Sequence, residues 1–235
     1  MVPPLVLAIP TLNEAESIGA LLDAIPKETV SAVMVADGGS TDGTCEIAER
    51  AGAQVLQAGR GYGRACLMAA MAAPDDAILV FMDGDGADDP GAIATLAAPI
   101  AAGTHDFVIG SRVSGTREAG SMAWHQIAAG YLIGQAIRVL YRTRYTDMCA
   151  FRAISRRSLL SLGMREMTYG WNLEMQMRAA RAGLRILEVP VHNRRRIGGT
   201  SKVAGSLRGT LRAGTRIVAT FFRVAGERQT SGAGA

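Results

Sequence analysis

The chain has 235 residues, 49% of them hydrophobic, with three cysteines and a formal net charge of +4. That much apolar material buries a substantial core, and with no Pro-, Ser- or Gly-rich linker it fits one α/β domain with a tail better than two domains. Cys45, Cys66 and Cys149 are odd in number and form no Cys-x-x-Cys pair, which argues against a disulfide framework and a zinc site and makes a reducing cytoplasm the default.

In chain order, residues 5–10 predict a buried strand, followed by Thr11-Leu12-Asn13-Glu14 and a helix with apolar positions Ile18, Leu21, Leu22 and Ile25. Met1-Val2-Pro3-Pro4 before it lacks the basic start of a secretory signal, so none is expected. Residues 30–36 predict a second strand ending in Asp37-Gly38-Gly39-Ser40-Thr41-Asp42-Gly43-Thr44. A short third strand at 54–57 gives way to Gly59, Gly61 and Gly63, a flexible turn from which Arg64 could reach a phosphate. The apolar run 77–82 is a fourth strand, closed by Asp83-Gly84-Asp85. Strands alternating with helices imply right-handed βαβ units and a mostly parallel sheet.

Beyond these come a strand at 106–110 running into Ser111-Arg112, a helix at 123–141 and a strand at 148–154. Gly170-Trp171-Asn172-Leu173-Glu174 opens a further helix, 185–191 is the last strand, and 194–202 is a basic loop with glycines. The longest stretch without charged residues, 119–137, contains His125, Gln126, Gln135 and three glycines, which makes it a poor membrane span. The expected protein is soluble or peripheral.

Carboxylates lie mainly in the first half, whereas Arg194, Arg195, Arg196, Lys202, Arg208, Arg212, Arg216 and Arg223 crowd the end, a bias that seeks phosphate. No aromatic residues interleave with these cations, so nucleic acid is not the expected partner. From 207 onward Leu207, Leu211, Val218, Phe221 and Phe222 share one helical face and the arginines another. Two arrangements fit: a helix lying on anionic lipid, or a helix packed on the domain with its arginines in water.

The chemistry concentrates at Asp83 and Asp85. Side chains at i and i+2 share a face of a strand, so Asp-Gly-Asp delivers two carboxylates to one side at the strand's carboxyl end, where open α/β sheets bind ligands. Hard oxygens so placed suit Mg²⁺ or Mn²⁺ with a nucleotide diphosphate. Asp-x-Asp alone reads equally well as a solvated turn. A dinucleotide site is excluded, because the first strand-to-helix turn has no glycine and carries an acid.

Together, Pro10-Thr11-Leu12-Asn13-Glu14, the segment from Ala36 to Thr44, Asp83-Gly84-Asp85 and Gly110-Ser111-Arg112 resemble the family 2 glycosyltransferases of GT-A fold. Thr146-Asp147-Met148-Cys149-Ala150-Phe151-Arg152 and Arg196-Ile197-Gly198-Gly199-Thr200-Ser201-Lys202 narrow the resemblance to the dolichyl-phosphate mannose synthase-like branch. The resemblance implies an inverting, metal-dependent transfer of a hexose from a GDP- or UDP-sugar to a polyprenyl phosphate at the cytoplasmic membrane face. By position it implies that Pro10, Leu12, Glu14, Val35 and Asp37 hold base and ribose. Asp83, Gly84 and Asp85 would bind the diphosphate through the metal, with Arg112, Arg196 and Lys202 near donor or acceptor phosphate. The implied organisation is a catalytic domain at 1–202, an amphipathic basic helix at 203–226 and a disordered tail at 227–235.

Two departures stand out. Ala87 replaces a glutamine that often serves as third metal ligand, leaving Asp88 and Asp89 either to substitute or to cap the helix entered at Pro90. Trp124, beside His125, replaces an arginine expected to bind acceptor phosphate. In relatives that glycosylate hydroxyls an aspartate base stands where this chain has Asn172. A phosphate monoester is largely ionised at neutral pH, with a second pKa of about 6, so the asparagine favours a phosphate acceptor. Asp147 is the base if the acceptor is an alcohol, or else holds Arg112. Transfer to a hydroxyl of a lipid or small metabolite, a sugar-phosphate nucleotidyltransferase and a non-catalytic nucleotide-binding module are the alternatives.

Overall fold

The computed structural model describes residues 3–198 and 207–227, the side chains of 207–212 excepted. A seven-stranded sheet runs in the order β3-β2-β1-β4-β6-β5-β7. The strands β1 (Leu5–Thr11), β2 (Ala32–Asp37), β3 (Gln54–Gln57) and β4 (Ile78–Phe81) pair in parallel. Strand β6 (Arg152–Ser155) is antiparallel to β4 and to β5 (Phe107–Ser111), and β7 (Ile186–Pro190) is parallel to β5. Every strand but β6 therefore points the same way, the mostly parallel sheet that the alternating pattern predicts. Strands β1, β4 and β5 are buried along their whole length, as strands covered by helices on both faces must be.

Helices α1 (Ala15–Ala24), α2 (Thr44–Arg50) and α4 (Ile93–Ala101) cover one face. Ile18, Leu21 and Leu22 of α1 bury against Leu7, Ile9, Val35, Val80 and Met82. Helices α3 (Tyr62–Ala72), α5 (Trp124–Tyr141) and α7 (Trp171–Arg181) cover the other, around Phe81, Phe107, Ile137 and Trp171. The short α6 (Arg156–Ser161) follows β6. Gly63 serves close packing: a Cβ there would meet the carbonyl oxygen of Glu166 and the Trp171 ring. Gly61 and Gly63 are thus a seat for the 166–167 backbone, and Arg64 beside them is exposed.

Strand β6 starts later than the sequence pattern suggests, at Arg152. The preceding residues leave the ladder because other groups take their backbone. Met148 N–H donates to Asp147 Oδ1 at 2.7 Å, and the Arg152 guanidinium donates to the carbonyls of Cys149 and Ala150.

Helix α8 (Leu207–Gly226) packs on α7, burying Ala213, Thr220 and Val224. Two of its arginines, Arg216 and Arg223, pair with the domain. Arg216 Nε donates to Glu166 Oε2 at 2.9 Å, and Arg223 Nη1 to Glu174 Oε1 at 2.9 Å. Both acids are buried, so two cations on α8 meet two carboxylates of the domain, while Val218 and Phe222 face outward. Helical periodicity alone separates the two faces but does not say which one docks; the acids at 166 and 174 decide it. Leu207, Arg208, Leu211 and Arg212 have no described side chains, and the tail from 228 lies outside the described residues.

Candidate active site

The chain direction of the sheet brings the chemistry to one edge. The carboxyl ends of β1, β2, β4, β5 and β7 lie on the same side, together with the amino end of β6. Chain order reverses between β1 and β4, with β2 and β3 on one side, and such a switch point opens a crevice beyond the strand ends.

Asp83 and Asp85 stand at that crevice, just past β4. Asp83 Oδ1 accepts from the Tyr62 hydroxyl at 3.1 Å. Burial, followed by the neighbouring Asp85 charge, pushes the Asp83 carboxyl above its ordinary range. Asp85 Oδ1 accepts from the Ala87 N–H at 3.0 Å, and its Oδ2 receives Arg196 Nη2 at 2.7 Å and Nε at 3.1 Å. The turn is tied to α1, whose Ser17 Oγ donates to the Gly84 carbonyl at 2.8 Å. A Cβ on Gly84 would press on the Thr11 methyl, and Gly86, at φ +75°, leaves room for the Ile197 side chain.

The basic loop after β7 lies along this turn. Arg194 N–H donates to the Ala87 carbonyl at 2.8 Å, Ile197 N–H to the Asp85 carbonyl at 3.0 Å, and Arg194 pairs with Asp89 at 3.0 Å. Arg196 also approaches Glu14 at 3.8 Å. Lys202 lies outside the described residues.

Arg112, past β5, is gripped by Asp147. Its backbone N–H donates to Asp147 Oδ2 at 2.9 Å, its Nε to the same oxygen at 2.8 Å and its Nη2 to Oδ1 at 2.8 Å. Burial raises the Asp147 carboxyl, but Arg112 outweighs it and holds the group below the usual carboxylate range. A carboxylate so clamped is a poor proton acceptor.

The first-turn residues divide by role. Pro10, one residue before the end of β1, is in register with Ala36, Leu12 packs beside Gly38, and Glu14 is buried at the mouth of α1. Val35 is fully buried in the core between sheet and helices, so its side chain does not face the crevice. Asp37 shapes its own loop, accepting from the N–H groups of Gly39 and Ser40, both at 2.8 Å, and from the hydroxyls of Ser40 and Thr11. Burial raises its carboxyl, and the Ser40 hydrogen bonds, with the others, bring it below the ordinary value.

Asp89 caps the 3-10 turn Pro90–Ala92, accepting from Gly91 N–H. Asp88 instead turns inward toward the Asp83 N–H and is pushed up to about 8, first by burial and then by the charges of Asp83 and Asp85. Trp124 is 80% exposed at the start of α5, with His125 edge-on beside it. Sequence reasoning missed Tyr62 and Glu188, because a lone tyrosine or glutamate carries no pattern.

The donor set fits a hard divalent ion. Two carboxylates crowd each other one glycine apart, and the only counter-charge directly on Asp85 among the described residues is a displaceable guanidinium. No third His, Cys or carboxylate joins them in a cluster among the described residues. That matches Mg²⁺ or Mn²⁺ held by one or two carboxylates, the rest of the sphere coming from water and substrate phosphate.

Comparison with known proteins agrees with this layout. The family model for glycosyl transferase family 2 matches residues 6–163. An uncharacterised glycosyltransferase of Mycobacterium tuberculosis is 37% identical over 208 residues, covering 87% of this chain and 92% of the relative. An undecaprenyl-phosphate mannosyltransferase of Micrococcus luteus is 32% identical over 225 residues, covering 86% and 88%. Among solved structures, glucosyl-3-phosphoglycerate synthase from M. tuberculosis superposes with a TM-score of 0.77 at 24% identity, over 97% of this chain and 82% of that one. The paired aspartates at the switch point, the GT-A sheet and these matches agree, and the chain belongs to glycosyl transferase family 2.

Proposed function

We propose that this glycosyltransferase moves a hexose from a GDP- or UDP-sugar to a polyprenyl phosphate, with inversion, using Mg²⁺ or Mn²⁺ at Asp83 and Asp85. The observation that carries the reading is that the aspartates flanking the crevice are each engaged in another role. Asp83 and Asp85 are committed to the metal, Asp147 is clamped by Arg112, and Asp88 is 5% exposed, behind the Asp83 N–H. Asn172, beside Tyr62, has no proton-accepting carboxylate. An acceptor that arrives already ionised needs only to be positioned.

In this reaction an acceptor phosphate oxygen attacks the anomeric carbon, the bond from that carbon to the diphosphate oxygen breaks, and the nucleoside diphosphate leaves with the bonding electrons. The metal, when bound, neutralises charge on the diphosphate. Glu14, Leu12, Pro10 and the loop shaped by Asp37 border the nucleoside. Arg112 and Arg196 supply positive charge where negative charge develops, and Lys202, outside the described residues, is the third cation the resemblance implies. The Nη1 of Arg196 is buried with no hydrogen-bond partner among the described residues, and a phosphate oxygen would satisfy it.

The lipid half of the acceptor has a surface to meet. A groove of about 550 Å³, bordered by Val113, Trp124, Ile127, Tyr131 and Tyr145, begins at the residue after Arg112. It is predominantly apolar, and Trp124 contributes to it where an arginine was expected. Helix α5 carries no carboxylate, and Arg138, Arg142 and Arg144 flank its carboxyl end, which favours contact with an anionic membrane surface. Among the described residues no helix is long and apolar enough to cross a membrane. The Micrococcus relative, by its name, acts on undecaprenyl phosphate.

The test is a matched pair of acceptors, a short polyprenyl phosphate and the same prenol without phosphate, each offered with a panel of GDP- and UDP-sugars and Mn²⁺. Product on the phosphate alone supports the reading; product on the prenol overturns it in favour of an alcohol acceptor.

A further inference from the structure

We infer that Glu188, on the edge strand β7, is a positioning residue that sets Arg112 through Thr146 and Asp147. The inference rests on the reading of Arg112 as a phosphate ligand, and the experiment that closes it separates the two.

Glu188 pairs with Ile109 across the β5–β7 ladder, and Ser111 pairs with Pro190 two residues on. Side chains two apart share a face, so Glu188 and Ser111 project to the same side of the sheet. Both hold the segment that leads into β6. The Glu188 carboxylate accepts from Thr146 N–H at 2.9 and 3.0 Å, from Thr146 Oγ1 at 3.0 Å and from Asp147 N–H at 3.4 Å. Thr146 Oγ1 lies 2.7 Å from Ser111 Oγ, which in turn accepts from Ser114 N–H at 3.1 Å. The residue fixed by these contacts on one side is Asp147, and the residue fixed by Ser111 on the other is Arg112. Asp147 and Arg112 then close on each other through three hydrogen bonds.

The carboxylate is the group this geometry requires. Four donor contacts converge on its two oxygens, and a glutamine would present an NH₂ to N–H groups that can only donate. Losing that anchor frees Thr146 and Asp147 to shift. Because Arg112 takes its side-chain direction from Asp147, an error of even 1 Å would pass to the guanidinium. Misplacement on that scale costs on the order of a hundredfold in rate where alignment matters. Glu188 itself makes no contact with Asp83, Asp85 or Arg112, so its effect must travel through Thr146 and Asp147.

The experiment compares Glu188→Gln, Arg112→Lys and the double variant in the full chain. The first readout is ¹⁵N-arginine NMR of the Arg112 Nε–H. We expect a distinct, slowly exchanging signal in the wild type that broadens or collapses toward free arginine in Glu188→Gln. An unchanged signal overturns the positioning role whatever the enzyme does. The second readout is kcat and KM. We expect Glu188→Gln to lower kcat about tenfold or more, with no further loss when added to Arg112→Lys. Losses that multiply would mean that Glu188 acts elsewhere, and would also overturn the inference. An altered NMR signal with wild-type kinetics in Arg112→Lys would leave the positioning intact and sink the reading of Arg112 as a phosphate ligand. Thr146→Val, which removes the bridging hydroxyl and keeps the backbone N–H, should shift the same signal in the same direction and covers the case in which Glu188→Gln folds poorly.

Discussion

Removing Arg196 should strengthen metal binding and weaken nucleotide binding in the same protein. Arg196 makes two hydrogen bonds to Asp85 Oδ2, at 2.7 and 3.1 Å, and approaches Glu14 at 3.8 Å. A cation that takes Asp85 must displace it. Hydrogen bonds between charged groups contribute about 1.5–3 kcal/mol. With the Arg196 side chain 25% exposed and Asp85 15% exposed, solvent screening reduces this to about 1–2 kcal/mol. At 1.4 kcal/mol per tenfold, Arg196→Ala should tighten Mn²⁺ binding without nucleotide roughly 5- to 30-fold. With saturating Mn²⁺, the same variant should bind nucleoside diphosphate more weakly, having lost a phosphate donor. Electron paramagnetic resonance of free Mn²⁺ reads the first effect and calorimetry the second. Arg194→Ala is the control for distant charge, since Arg194 pairs with Asp89 and makes no described bond to Asp83 or Asp85. Unchanged or weaker Mn²⁺ binding in Arg196→Ala, or equal tightening in both variants, would refute the view that Arg196 occupies the metal's carboxylate.

Asp85→Ala should abolish metal-dependent nucleotide binding, checked by calorimetry with and without Mn²⁺. Trp124→Ala should leave thermal stability within about 0.5 kcal/mol of wild type, because the ring is 80% exposed, and should raise KM for a prenyl phosphate but not for the sugar nucleotide. Gly170→Ala should destabilise by about 1–3 kcal/mol in urea denaturation, because the added methyl would press on Thr220 of the docked α8. Burial raises the Glu166 and Glu174 carboxyls, but hydrogen bonds from Thr168 and Arg216 to the first, and from backbone N–H groups, Arg178 and Arg223 to the second, hold both below their ordinary value. Their stabilisation is therefore complete above the unfolded pKa of about 4.3 and is lost as pH falls through the lower folded values. The melting temperatures of wild type and Glu174→Gln, well separated at pH 7, should converge below about pH 4.

Much of the fold was legible in the sequence because burial and chemistry coincide at strand ends. Runs such as 77–82 have few structural options when covered on both faces, and the residues just past a parallel strand fall at the ligand edge. The positions of Asp83 and Asp85 came from that pattern, and Arg112 was marked by the resemblance carried in Gly110-Ser111-Arg112. Orientation was not legible. The periodicity of α8 separates arginines from Val218 and Phe222, yet the docked face is set by Glu166 and Glu174, more than 40 residues away in sequence. Asp88 and Asp89 look alike as letters. The fold sends one to cap Pro90–Ala92 and turns the other inward behind Asp83, through the pairing of Asp88 with Asn193. Val35 was carried to the nucleoside by position, but its place in the strand points its side chain into the core.

The most direct test of the central claim is to incubate purified protein with Mn²⁺, GDP- and UDP-hexoses and a short polyprenyl phosphate, and to seek the intact glycolipid and released nucleoside diphosphate by mass spectrometry. The expected product is a polyprenyl-phosphate hexose, formed only with divalent metal, whose sugar is released by mild acid as a glycosyl phosphate should be. Turnover of the donor with sugar appearing on an alcohol, or lipid product formed equally well in chelator, would contradict it.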